Sequence, residues 1–212
     1  MKKVKWATIR SNIIAAYDNS ANQRAKAGKQ QWKRNERKVF LSHLKSEKKK
    51  KLLEIGAGTG RDSFYFKKHG LKVTTTDISS ANVQYCRRRG LSAFVLDIYD
   101  VQKLRKKFDA IYALNCLIHV PRVDFERMLK KIKRLLKPGG LFYLGMYGGV
   151  AFEGVHKKDR CRPKRFFSLY QTKDILAIVQ KHYKLEYFKH VTPWKDGGTF
   201  QSIILRKKKR RE

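Results

Sequence analysis

Lys51-Leu52-Leu53-Glu54-Ile55-Gly56-Ala57-Gly58-Thr59-Gly60-Arg61 is the stretch on which the fold turns. Leu52, Leu53 and Ile55 form an apolar run too brief for a helix, which suits a buried parallel strand, and glycines at alternate positions end it. Glycine lets the chain turn sharply and lets a ligand approach the main chain. Arg61 to His69 then alternates polar and apolar residues at helical spacing, so the free N–H groups of a helix start face the same spot. The expected occupant is nucleotide-like. The spacing is not that of the dinucleotide fingerprint, G-x-G-x-x-G, and an acid, Glu54, stands on the strand two residues before the first glycine.

Outward from this stretch, strands and helices alternate. Towards the C-terminus, Leu71 to Thr76 is a β-branched run ending at Asp77, and Ser79 or Ser80 can cap a helix from Ala81 to Arg89 that Gly90 ends. Ala93 to Leu96 reads as a strand ending at Asp97, Phe108 to Leu114 as one ending at Asn115, and Leu141 to Tyr147 as a fifth. Between the last two lies a helix, Asp124 to Leu136, stopped by Lys137-Pro138-Gly139-Gly140. This rhythm predicts an α/β fold, a doubly wound parallel sheet with helices on both faces. Thr172 to His182 is a last helix, and Tyr183 to His190 with Phe200 to Leu205 reads as a hairpin joined through Thr192 to Gly198. Towards the N-terminus, Ile9, Ile13, Ile14 and Tyr17, then Trp32, Val39, Phe40 and Leu44, mark amphipathic helices interrupted at Gly28. The predicted organisation is a helical lid over 1–45, one main domain over 46–206 and a basic tail over 207–212. Within the domain, 148–170 lacks periodicity and carries aromatics, which predicts a loop capping the acceptor.

The 212 residues suffice for one domain with a full core, and 42% hydrophobic content fits a folded chain. No run approaches the roughly 18 apolar residues of a membrane span, and no apolar segment follows the basic residues of Met1 to Arg10. Cys86, Cys116 and Cys161 lack metal-ligand spacing and fit reduced thiols, so a cytoplasmic protein is expected, and a monomer is expected as well. Charge is the outlier: 51 Lys and Arg against 17 Asp and Glu give +34. Several of the remaining acids, Glu54, Asp62, Asp77, Asp97 and Asp100, fall in the candidate site segments. Three readings of the basic excess stay open: binding of nucleic acid or other polyanions, a positively supercharged variant of an ordinary enzyme, or drift in composition.

The order L-L-E-I-G-A-G-T-G, T-T-T-D-I-S, F-V-L-D-I-Y, F-D-A-I-Y-A-L-N-C-L-I-H-V-P and L-L-K-P-G-G-L-F-Y resembles class I S-adenosylmethionine-dependent methyltransferases from Lys51 to Tyr147, of a bacterial, small-molecule or uncharacterised type. The resemblance implies a Rossmann-like seven-stranded sheet with a reversed last strand. It implies that Gly56, Ala57, Gly58 and Gly60 meet the methionine part of the cofactor. It puts the ribose on Asp77 beside Ile78, the adenine near Asp97 and Ile98, and the end of the Asn115 strand beside the transferring methyl. A carboxylate at a strand end can accept two hydroxyl protons, which agrees with the ribose assignment.

Other residues keep two readings. Glu54 binds cofactor or braces the glycine loop; Asp77 and Asp97 bind ligand or cap the segments that follow. Asn115 serves the site or closes a turn, and His119 is a general base or a packed structural ring. Cys116 reads as a small buried hydrophobe. Tyr17, Gln31 and Trp32 belong to an acceptor lid or to a core stripe, and Phe152 and Tyr170 cover the acceptor while Phe166, Phe167 and Tyr170 alternatively pack the last helix. The N-C-L-I after strand four differs from the N-P-P-Y of base-amine methylating enzymes, and no acidic triplet resembles a magnesium site. The expectation is metal-independent methyl transfer to a small organic acceptor. The alternatives are an RNA-directed methyltransferase and a non-catalytic basic nucleic-acid-binding protein that retains the fold.

Overall fold

In the computed structural model, which describes residues 6–192 and 199–208, the glycine-ended run is strand β1 (Lys51–Ile55) inside a seven-stranded sheet. Beside it lie β2 (Lys72–Asp77) and then β3 (Ser92–Val95) on one side, β4 (Phe108–Leu114) and β5 (Leu136–Gly148) on the other. These five run parallel. Beyond β5 come β9 (Thr199–Arg206) and then β8 (Lys184–Val191), and β9 is antiparallel to both neighbours, which is the expected reversed last strand. The segment expected to join this hairpin, and most of the basic tail, lie outside the described residues.

Parallel strands are covered on both faces, so their residues are apolar on both sides. Leu52, Ala110, Tyr112, Leu141, Tyr143 and Ile204 point to one face, against Phe40, Leu44 and Phe66. Leu53, Ile111, Ala113, Phe142, Leu144 and Ile203 point to the other, against Phe125, Met128, Ile132, Ile175 and Val179. The first face is closed by α2 (Gln31–Ser46) and α3 (Arg61–Lys68), the second by α5 (Arg122–Leu135) and α6 (Thr172–His182). Following β2, α4 (Ser80–Arg88) starts at Ser79, whose hydroxyl accepts from the Asn82 N–H. Between β3 and β4 there is only a 3-10 segment, Ile98–Leu104, with Asp97 as its cap.

The first helix, α1 (Trp6–Lys26), ends just before Gly28 and takes no part in the two main cores. Its Ile9 and Ile13 form a small cluster with Phe166, flanked by Trp6, Tyr17 and Ile78, so it lies over the C-terminal ends of the strands.

One expectation needs correction. Residues 148–170 are not an irregular loop but contain a hairpin, β6 (Phe152–Val155) against β7 (Phe166–Leu169). Four-residue strands interrupted by Glu153 and Gly154 are too short for a period of two to stand out. The connection is closed by an ion pair six residues apart, Arg165 to Asp159 at 2.7 Å, a spacing that neither the strand nor the helix period announces.

Phe40 is fully buried, with ring centroids 5.4 to 6.1 Å from Tyr143, Tyr112 and Phe66. Phe40→Ala should therefore cost about 3–5 kcal/mol in urea unfolding followed by circular dichroism. A loss below about 1 kcal/mol would mean that α2 stands outside the cooperative core.

Candidate functional site

The strand ends and α1 enclose a cavity of about 280 Å3. Its floor is the turn after β1. Gly56 has φ +68°, and a Cβ there would meet Cys116 Sγ at 2.6 Å, so only glycine lets the ends of β1 and β4 approach so closely. Gly58, at φ +56°, has open space where a Cβ would stand, and its N–H donates to Asp77 Oδ2 at 2.7 Å. Asp77 Oδ1 accepts from the Ser79 N–H at 2.9 Å and from Asn82 Nδ2 at 3.3 Å. Burial lifts the Asp77 carboxyl above its ordinary pKa, against these three donors.

Glu54 lies beneath the loop, 2% exposed, and accepts from Ser63 Oγ, which in turn accepts from Thr75 Oγ1. Burial, reinforced by Asp62, pushes Glu54 up to about 8, so this carboxyl is largely protonated at neutral pH. Asp97 uses Oδ1 for the Tyr99 N–H at 2.9 Å and Oδ2 for Arg10 Nε at 2.8 Å. Ile78, Ile98 and Ala57 line the same wall.

The roof is α1, whose Trp6, Ile13, Tyr17 and Arg24 recur at helical spacing along the face that lines the cavity. Polar contacts from several residues seat this helix over the strand ends. Arg10 pairs with Asp97, Asp18 Oδ1 accepts from Ser79 Oγ at 2.5 Å and from the Ala81 N–H at 3.1 Å, and Tyr17 meets His119. Asp18 thus adds a carboxylate to the N-terminus of α4, where the helix dipole favours it. Trp6 packs on Tyr99 with centroids 4.2 Å apart. The turn into α2 is held by Asp62 at the start of α3, which pairs with Lys29 and with Arg37.

At the β4 end, Asn115 has φ +53°, donates its backbone N–H to the Gly145 carbonyl of β5 at 2.7 Å, which carries the β4–β5 pairing one bond further, and lines the cavity. Its side chain bonds the Tyr147 hydroxyl, which also accepts from Lys33 Nζ at 2.7 Å. Burial pushes Lys33 down to about 8, with Arg61 and Arg24 adding to the effect and Asp62 opposing it. Cys116 lines the cavity, and burial raises its thiol far from the reactive range.

His119 is 5% exposed. Its Nδ1 lies 2.7 Å from the Phe166 carbonyl, which can only accept, so Nδ1 carries the proton and Nε2 accepts from the Tyr17 hydroxyl at 2.7 Å. Tyr17 in turn accepts from Arg165 at 3.1 Å. Both imidazole nitrogens are therefore engaged. A proton could reach His119 only by way of Tyr17, which corrects the expectation of an open general base.

Three expected acceptor residues do not line the cavity. Trp32 turns to Phe200, with centroids 4.6 Å apart. Phe152 sits on the outer hairpin strand near His156, and Tyr170 is buried under Phe125, beneath Arg122. Their aromatic character fits packing as well as it fits a lid. Arg10, Asp18, Arg24, Lys33 and Arg165, which the sequence reading did not single out, approach the site instead. In the sequence these are five among many charges; only the helical spacing of Trp6, Ile13, Tyr17 and Arg24 could have marked any of them. Among the described residues, no three His, Cys, Asp or Glu side chains cluster as metal ligands would, and no helix is long and apolar enough to cross a membrane.

The sheet order, the glycine turn and the carboxylate on the adjoining strand define a class I methyltransferase architecture. Residues 52–140 match the methyltransferase-domain family. The chain is 31% identical over 114 residues to the ubiquinone biosynthesis O-methyltransferase of Coxiella burnetii, covering 50% of this chain and 48% of that one. It is 32% identical over 104 residues to an S-adenosyl-L-methionine-dependent Diels-Alderase of Talaromyces variabilis, covering 44% and 35%. Among solved structures, a 1,6-didemethyltoxoflavin-N1-methyltransferase of Burkholderia thailandensis superposes with a TM-score of 0.75 at 20% identity, over 96% of this chain and 89% of that one. The chain spans less than half the length of the first curated relatives it matches. Over residues 52–140 it is similar to the methyltransferase-domain family, on the fold that these methyltransferases share.

Burial, aided by the nearby Arg165 and Arg24 and opposed by the Phe166 hydrogen bond, pulls His119 down to about 4. A histidine whose folded pKa is depressed stabilises the fold above its unfolded pKa, and that contribution is lost as pH falls from about 6.5 through 4. Nitrogen-15 NMR at pH 5.5 should show His119 neutral with the proton on Nδ1. An imidazolium signal at that pH would contradict the assigned network.

Proposed function

We propose that this protein transfers a methyl group from S-adenosylmethionine to a small organic acceptor without a metal. The observation that carries the reading is the cradle at the β1 and β2 ends: an open approach over Gly58, with Asp77 held beside it by three donors. These residues fit the cofactor. The main chain at Gly56, Ala57, Gly58 and Gly60 admits the methionine part. Asp77 accepts the ribose hydroxyls on the lone pairs its protein donors leave, since a carboxylate offers about four. Asp97 and Ile98 border the adenine, with Arg10 and Trp6 closing over them, and Glu54 supports the loop from below.

When bound, the cofactor supplies a methyl group on a sulfonium, already activated for in-line displacement. The residues then have to place the acceptor and keep water out. Asn115, Cys116 and Tyr17 border the space beyond the β4 end, and α1 with Phe166 covers it.

A second reading, an RNA acceptor or a non-catalytic nucleic-acid binder, is favoured by the +34 charge, which draws polyanions in a salt-dependent way. The cavity beneath α1 favours the small acceptor, because a nucleotide within a chain would have to displace that helix.

Labelled S-adenosylmethionine should be retained by the protein, and Asp77→Ala should weaken binding by about 1.5–3 kcal/mol in calorimetry with the fold intact. In a coupled assay, label should pass to a small organic acceptor and not to structured RNA. No retention at millimolar cofactor overturns the reading, and transfer to RNA alone supports the second one.

A further inference from the structure

The cavity carries cations that no carboxylate pairs with. Arg24, Lys33 and Arg61 line it, and among the described residues none of them has a carboxylate within ion-pair distance. Arg24 instead lies over the Tyr17 ring at 4.7 Å and donates to Ser20 Oγ at 3.0 Å. Arg61 donates to the Ala27 carbonyl. Lys33 donates to the Tyr147 hydroxyl and lies 5.0 Å from the centroid of Trp32. Partly buried charge without a counter-ion is costly, and a ligand that supplies the missing charge relieves that cost.

The cofactor does not supply enough. It brings one carboxylate together with an ammonium and a sulfonium, so three unpaired cations remain in excess once it is bound. Of the neighbouring acids, Asp62 pairs with Lys29 and Arg37 and Asp97 with Arg10, while Asp77 attracts Arg24 without pairing with it, which leaves Lys33 and Arg61 the least compensated. The acceptor half also lacks an open base, since both nitrogens of His119 are engaged. A neutral acceptor that had to lose its proton at the methyl would find no open imidazole nitrogen to take it directly. An acceptor that arrives as an anion needs none.

Resting on the methyltransferase reading, we infer that the acceptor is an organic oxyanion, a carboxylate or an acidic phenol or enol, whose negative oxygen pairs with Lys33 beside Tyr147 and Asn115. The proton leaves to solvent before docking. The oxygen then forms a bond to the methyl carbon as the carbon–sulfur bond breaks, and its electron pair stays on sulfur, giving a neutral ether or ester and a neutral thioether. Lys33 stands at the correct end of the cavity for this, since its hydrogen-bond partner Tyr147 ends β5 and Asn115 follows β4, the strand ends beyond the cofactor edge.

The test uses the full chain saturated with S-adenosylhomocysteine and 4-nitrophenol as the probe, because its anion absorbs in the visible. Work at high salt suppresses adsorption to the basic surface. Bound nitrophenol should ionise about one pH unit lower than free, roughly a tenfold stabilisation of the anion. Lys33→Met should abolish the shift and leave S-adenosylhomocysteine affinity unchanged, and Lys33→Arg should restore most of it. Lys106→Met, which removes an exposed charge elsewhere, should leave it intact. No shift up to the probe's solubility limit, or a shift that survives Lys33→Met, overturns the inference while the methyltransferase reading stands. Failure of S-adenosylhomocysteine to bind overturns both.

Discussion

The rest of the site depends on one buried carboxylate, Asp77, and the N–H groups that turn towards it. Gly58, on the loop after β1, and Ser79, at the start of α4, both donate to it, so a single side chain ties together the ends of two parallel strands and a helix start. The positive φ of Gly58 aims its N–H at Asp77, and no side chain fills the space above. Those constraints account for the residue types in this stretch: a side chain at 58 would be strained in its backbone and would narrow the approach to the cavity. A charged group at Asp77 would be costly in so apolar a surround without these donors. An arrangement already in place lowers the ordering cost of binding any ligand that donates to it.

Around this anchor the acids and bases are distributed unevenly. Most described acids hold a structural partner: Asp62 the α1–α2 turn, Asp18 the start of α4, Asp109 the N–H groups of Lys50 and Lys51, Glu47 the guanidinium of Arg206. The surface is left strongly basic. After the 3-10 segment and on α5, Arg105, Lys106, Lys107, Lys130 and Arg134 are all exposed. Such a surface raises the encounter rate with anions in general, the more so at low salt.

How much could be read without coordinates follows from the range of each interaction. β1 to β5, the glycine turn, Asp77 and Asp97 were legible because strand, turn and cap signals are local: an apolar run, alternate glycines, an acid at a strand end. The role of α1 was legible only as an amphipathic stripe. Its contacts, Arg10 with Asp97 and Tyr17 with His119, join residues that are far apart in the chain and carry no periodic mark. Trp32, Phe152 and Tyr170 were misplaced because an aromatic ring serves a core and a lid equally well, and only packing decides. The β6–β7 hairpin escaped because each strand is a mere four residues long.

A backbone amide map by NMR during titration with S-adenosylhomocysteine tests the account most directly. The predicted result is a saturable change centred on Gly56, Gly58, Ile78 and Ile98, extending into α1 at Tyr17 and leaving the α5 surface unmoved. Shifts confined to the basic surface, or none at the β1 and β2 ends, would contradict the claim that this cradle holds the cofactor.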